Sequence, residues 1–266
     1  MTETPSLQDQ LAPVFAAAPE GATVALAARH LDTGETAGFS GNLVFPSAST
    51  IKIAIMAAVA RAVEHGKLSL DQRVPVRLTD RKPGSGVVAH MEEDLSLTVR
   101  DHVYLMISIS DNTTSNIMID TAGLEAVQAI CTEFGAEGTM LNRHFFGRGA
   151  QGKEVENTVT AEGLVNILGN IIGGNIVGEE LTAWMKETLG KQQYLNKLAR
   201  SLYYDESVWY GGKTGSIYGL VHDCGVFSGT RGTVAVAALA KDLGNDPYRA
   251  EPWMGEIGRI CAAYVR

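Results

Sequence analysis

Residues 49–66 read STIKIAIMAAVARAVEHG. From Ile51 to Val63 apolar residues fill almost every position, with no polar stripe of the kind a surface helix shows. The stretch therefore predicts a helix buried nearly all round over residues 49–64, with Gly66 just past its end as the C-cap. Such a helix needs elements packed against it on several sides, and the flanking sequence supplies them. On the N-terminal side, residues 7–17 carry apolar positions at helical spacing until Pro19, Glu20 and Gly21 break the pattern. Residues 23–31 then form a β-prone run, closed by Asp32-Thr33-Gly34 and resumed over 35–39, which is a hairpin signature. On the C-terminal side, helical stretches fit 99–108, 115–122, 125–134, 161–172 and 178–186. Beyond Gly211 two β-prone runs, 221–228 and 233–239, flank the turn Gly229-Thr230-Arg231-Gly232, and a last helix covers 252–264. Strands at both ends with helices between predict an α+β fold. Its antiparallel sheet is built from residues 1–48 and 198–266, and an all-helical region, 49–197, is inserted between them.

Composition narrows the function classes. The 266 residues are 45% hydrophobic and 20% charged, a globular balance that excludes a disordered chain. A net charge of −8 opposes binding to nucleic acid or to an anionic membrane surface, since both need clustered Lys and Arg. Cys131, Cys224 and Cys261 are too few for a disulfide framework, and no basic leader opens the chain. The longest apolar runs, such as 53–60, fall far short of the ~20 residues that span a bilayer. The expectation is a soluble, cytoplasmic protein. The six histidines show no metal-ligand spacing, and no cofactor is expected.

Three short elements can carry chemistry. Ser49 and Lys52 form an S-x-x-K that sets a hydroxyl and an amine on one helix face, where a desolvated lysine can act as base for a serine nucleophile. Ser110-Asp111-Asn112 follows an apolar run; by itself it reads as a helix N-cap. Lys213-Thr214-Gly215, just before the strand runs, offers a cation, a hydroxyl and a permissive glycine to an anionic substrate. A phosphate loop ending in Gly212-Lys213-Thr214 fails on spacing, because Ser207 stands where its first glycine belongs.

Taken in order, these elements resemble the motif set of class A β-lactamases and penicillin-binding proteins. Phe45-Pro46, Asn116 and Asn157-Thr158-Val159-Thr160 extend the resemblance to most of the chain. It implies a five-stranded antiparallel sheet, a helical subdomain and an active site between them. It further implies that Ser49 attacks a lactam, amide or ester carbonyl, Lys52 accepts its proton, and Ser110 relays a proton to the leaving group with Lys213 nearby. Asn112 would bind the substrate amide and Thr214, beside Gly215, a substrate carboxylate. The backbone N–H groups of Ser49 and Ser216 would form the oxyanion hole, while Asp111 and Asn116 brace the site. The implied partner is a small molecule carrying a carbonyl and a carboxylate.

Two departures qualify the activity. Class A enzymes carry a glutamate that activates the deacylating water after a Leu-Asp-Arg-like segment; here Leu141-Asn142-Arg143-His144 leads to Phe145. Unless Lys52, His144, Glu154 or Glu156 substitutes, the acyl-enzyme forms but hydrolyses slowly. That leaves inefficient β-lactam hydrolysis, a slow-deacylating sensor, or transfer of the acyl group to an amine. On the strand after Lys213, Val221-His222-Asp223 offers no arginine for a substrate carboxylate; His222 either stands in or is structural.

Overall fold

The computed structural model describes residues 5–92, 94–147, 154–202 and 205–266. The first half of the chain runs α1 (Leu7–Ala16), β1 (Thr23–His30), β2 (Thr36–Phe39), β3 (Phe45–Pro46), α2 (Lys52–Glu64), β4 (Arg73–Pro75), β5 (Ser96–Thr98), α3 (Val99–Ser108), α4 (Asn112–Ala122) and α5 (Leu124–Glu133). The second runs β6 (Thr158–Val159), α6 (Ala161–Gly173), α7 (Glu179–Gly190), a 3-10 turn (Leu198–Leu202), β7 (Trp209–Ile217), β8 (Leu220–Gly229), β9 (Gly232–Lys241) and α8 (Glu251–Val265).

The main sheet has the order β2-β1-β9-β8-β7, antiparallel throughout. Its central pairing, from Thr23↔Lys241 to His30↔Val234, joins the two ends of the chain and gives the expected α+β architecture. Both faces are covered. Ala25, Ala27, Ala235, Ala237 and Leu239 pack with the helices from α2 to α7, whereas Leu26, Ala28, Val234, Val236 and Ala238 pack with α1 and α8. A strand buried on both faces has no position for a polar residue, which is why β9 reads as an unbroken apolar run.

In α2 every residue from Lys52 to Ala60 is buried. The helix starts at Lys52 and not at Ser49. The amides of Lys52, Ile53 and Ala54 reach back only three residues, to Ser49, Thr50 and Ile51 oxygens at 3.3, 3.3 and 3.0 Å, so the entry is a tight turn. Gly66, at φ +68°, ends the helix as expected.

Other boundaries shift for local reasons. Helix α4 begins at Asn112, three residues early, because Asp111 caps it by accepting the Thr114 amide at 3.0 Å. Helix α7 continues to Gly190, burying Met185 and Leu189. Lys213-Thr214-Gly215 lies within edge strand β7, not before it, and pairs in register with Cys224, Asp223 and His222. Two small sheets, β3 with β6 and β4 with β5, interrupt the helical middle of the chain. Of the aperiodic stretch 142–160, residues 148–153 lie outside the described residues, as does Glu93. Among the described residues, no helix is long and apolar enough to cross a membrane.

Candidate active site

Ser49 stands on the turn between β3 and α2, and that turn is held at several points. Pro46 O lies 2.9 Å from His222 Nε2, the Ser47 amide donates to Asn157 O at 2.7 Å, and Thr50 Oγ1 donates to Ser47 O at 2.7 Å. Ala48, immediately before the serine, sits in the left-handed region at φ +43°. A non-glycine residue stays there only where its surroundings over-determine it, and such strain concentrates at functional sites. Strand β7 closes on the turn from one side. A Cβ on Gly215 would lie 3.0 Å from Ser49 N and 3.0 Å from Ala48 Cβ, so a glycine lets the strand come this near.

Ser49 Oγ makes no hydrogen bond among the described residues and is partly exposed in a cleft. Ala48, Asn112, Phe145, Phe146, Glu156 and Ser216 share that cleft's lining. One helical turn on, Lys52 is wholly buried and its Nζ donates to Ser110 O at 2.8 Å, Asn112 Oδ1 at 3.0 Å and Ser110 Oγ at 3.2 Å. Burial, together with the nearby Lys213 ammonium, pushes Lys52 well below the usual lysine range, and Asp111 only partly offsets this. Both causes favour the neutral amine, the form in which a lysine can act as a base.

Ser110 also occupies the left-handed region, at φ +61°, which turns both its carbonyl and its hydroxyl toward Lys52. The following residue fixes this bend. Asp111 accepts three backbone amides, from Val87 at 2.7 Å, Val88 at 2.9 Å and Thr114 at 3.0 Å. Asn112 Nδ2 donates to Pro83 O at 3.0 Å, leaving one N–H of that amide for another acceptor. From the far side, Gln192 Nε2 bridges Ile107 O and Gly212 O, tying the end of α3 to β7.

Lys213 is buried in β7 with its Nζ 2.7 Å from Thr214 O. Burial and the Lys197 charge bring it down to about 7. Thr214 is buried beside it, while Ser216 is exposed in the cleft.

The opposite wall is aromatic. Asn116 holds Phe145 by both backbone groups, accepting its N–H at 2.8 Å and donating to its carbonyl at 3.0 Å. The Phe145 ring is thereby set over Lys52, with Nζ 4.4 Å from its centroid. Phe146, at φ +58°, reaches across toward the Gly84 loop, where an added Cβ would lie 3.1 Å from its Cζ. Two polar groups of this loop, Glu156 and His144, are engaged. Glu156 accepts two 2.9 Å hydrogen bonds from Arg143, and His144 Nε2 lies 2.7 Å from Asp120 Oδ1. Glu154 is exposed.

His222 offers no cation to the cleft. It is fully buried, and burial takes its imidazole down to about 4, so the neutral ring is a structural brace for Pro46. A lysine that sequence reading missed is Lys197, which is buried behind the cleft and donates to Ser216 Oγ at 3.0 Å. It comes from the segment before the Leu198–Leu202 turn, where a solitary lysine in NKLARSL carries no motif.

The chain is similar to known proteins over nearly its whole length. The profile of the beta-lactamase enzyme family matches residues 6–265. The crystal structure of a beta-lactamase from Sphaerobacter thermophilus superposes with a TM-score of 0.87 at 37% identity, covering 94% of each chain. PBP-A superposes with a TM-score of 0.86 at 25% identity, over 97% of this chain and 96% of that one. Beta-lactamase BRO-1 of Moraxella catarrhalis is 28% identical over 194 residues, 70% of this chain but only 59% of its own length.

Proposed function

The chain belongs to the beta-lactamase enzyme family, as a class A-related serine enzyme, and from that premise we propose that it is an acyl-transfer hydrolase whose nucleophile is Ser49. The observation that carries this reading is the buried Lys52, whose neutral form is favoured by burial and by Lys213, hydrogen-bonded to Ser110 one helical turn from an uncommitted Ser49 hydroxyl. Lys52 takes the Ser49 proton as Oγ attacks a lactam, amide or ester carbonyl. The oxyanion is met by the Ser49 and Ser216 amides, which the close approach of Gly215 supports. Ser110 then gives its proton to the leaving group and is reprotonated by the Lys52 ammonium, so the tetrahedral intermediate collapses to an ester on Ser49. Asn112 holds the substrate amide. Thr214, Ser216 and the Lys197 ammonium receive a carboxylate on a small-molecule substrate. Free, buried Cys131, Cys224 and Cys261 support a reducing, cytoplasmic setting.

Hydrolysis of that ester is the slow half. Phe145 lies over Lys52 where a water-activating carboxylate would be useful, and Glu156 is engaged by Arg143. This favours a second reading, in which the acyl-enzyme persists as a sensor or passes its acyl group to an amine. Intact mass of the protein mixed with benzylpenicillin, a chromogenic cephalosporin or an activated ester tests both. The expected result is a stoichiometric adduct that decays slowly and is absent in Ser49→Ala. An adduct that survives in Ser49→Ala refutes the nucleophile, and acceleration of its loss by added amines selects transfer over hydrolysis.

A further inference from the structure

Lys197 is gripped from two sides. The Leu198 amide, the nitrogen of the Lys197–Leu198 peptide bond, donates to Asp223 Oδ2 at 3.0 Å. From the other side, α8 presents two glycines. A Cβ on Gly258 would fall 1.8 Å from Leu198 O, and one on Gly255 would lie 3.5 Å from Lys197 O, so this segment sits in a groove that larger residues would close. Asp223 itself is 1% exposed, on the α1 and α8 face of β8, with Tyr210 Oη 3.4 Å from its carboxylate. A buried carboxylate is costly, and among the described residues it forms no close ion pair that would offset the cost.

We propose that Asp223 is a positioning residue: it anchors the Lys197 peptide and supplies the field that keeps the Lys197 side chain cationic, so that the cleft selects substrates bearing a carboxylate. The inference rests on the assignment of Lys197 as the carboxylate-binding cation. Burial works against a charge on Lys197, while Asp223 and, more weakly, Glu251 work for it; Glu251 is tied to Asn196 Nδ2 at 2.6 Å. Burial raises Asp223 to about 6, with Lys197, the Leu198 amide and Lys213 holding it down, so it is ionised at neutral pH. A carboxylate one sheet layer behind the cleft thus favours the charged form of the Lys197 amine against the effect of burial.

The test compares benzylpenicillin with its methyl ester, following acylation by intact mass to obtain a saturation constant and a limiting rate for each. In the unmodified protein the acid is expected to saturate at about tenfold lower concentration than the ester. If it does not, the Lys197 assignment fails, and this proposal fails with it. Where that preference exists, Asp223→Asn is expected to remove about tenfold from it through the saturation constant of the acid, and Asp223→Glu to restore part. Adding Asp223→Asn to Lys197→Met should leave the acid-to-ester ratio of Lys197→Met where it was. Acylation by the ester verifies that each variant is folded. Equal losses for both substrates in Asp223→Asn, an undiminished preference for the acid, or a further loss in the double variant would overturn the positioning role while leaving Lys197 in place.

Discussion

On one side of the cleft, Phe145 and Phe146 present aromatic rings on a backbone clamped by Asn116; on the other, β7 presents Ser216 with Lys213 and Lys197 buried behind it. The Ser49 turn, Lys52 and Ser110 stand between the two. On the acyl-transfer mechanism proposed above, the difference separates two halves of the reaction. Groups suited to forming an acyl-enzyme and to holding an anion cluster at the β7 side and the floor, whereas on the aromatic wall, among the described residues, Phe145 lies over Lys52 and Glu156 and His144 are engaged by Arg143 and Asp120. In such a site capture and release are governed by different walls and can be altered separately.

The contrast can be broken most severely from the floor. Lys52→Met keeps the volume of the side chain but removes the base, and the acylation rate is expected to fall about 10³-fold in rapid-quench mass measurements. A fall of less than about tenfold would move the base to another group.

The next effect concerns the aromatic wall alone. Asn116→Ala strips the partners from both backbone groups of Phe145 and is expected to cost about 2–4 kcal/mol in urea unfolding. It should also speed loss of the acyl group relative to its formation, because the ring is no longer held over Lys52. Unchanged release kinetics would mean that the ring is not what excludes water.

The mildest probe is pH. Burial lowers Lys213 to about 7, so its charge is present below that pH and lost above it. The subsaturating acylation rate for a carboxylate substrate should therefore decline above about pH 7, by up to tenfold per unit. At saturation the limb should move to higher pH, because a bound anion favours the ammonium form. A profile flat to about pH 9 would dissociate Lys213 from binding.

What the sequence disclosed followed the strength of each physical signal. The buried α2 helix, the β1–β2 hairpin and the β8–β9 pair were legible because their apolar periods are long. Strand β7 was not, since Gly211, Gly212 and Gly215 depress strand propensity, although packing requires at least two of them. A Cβ at Gly212 would lie 2.3 Å from Tyr210 Oη, and one at Gly215 3.0 Å from the Ser49 turn. The two-residue strands β3 and β6 are too short for any period to show. Ser49, Lys52, Ser110 and Asn112 could be picked out once the three motifs were taken in order, and the fold joins Lys52, Ser110 and Asn112 in one hydrogen-bonded cluster one helical turn from Ser49. Lys197 and Asp223 could not, because their relation exists only through a sheet and a glycine groove that join residues far apart in the chain.

The pairing of β1 with β9 carries a consequence for how the protein is made. The two strands are separated by about 200 residues, and at ~5–20 residues per second a ribosome needs roughly 10–40 s to deliver the second after the first. Through that interval an alanine-rich strand with two apolar faces has β2 on one edge but lacks β9 on the other, and the cleft has no β7 wall. The newborn chain therefore exposes apolar strand surface before its cleft exists, and its yield in a cell should depend on how well that one strand is shielded until β9 is made.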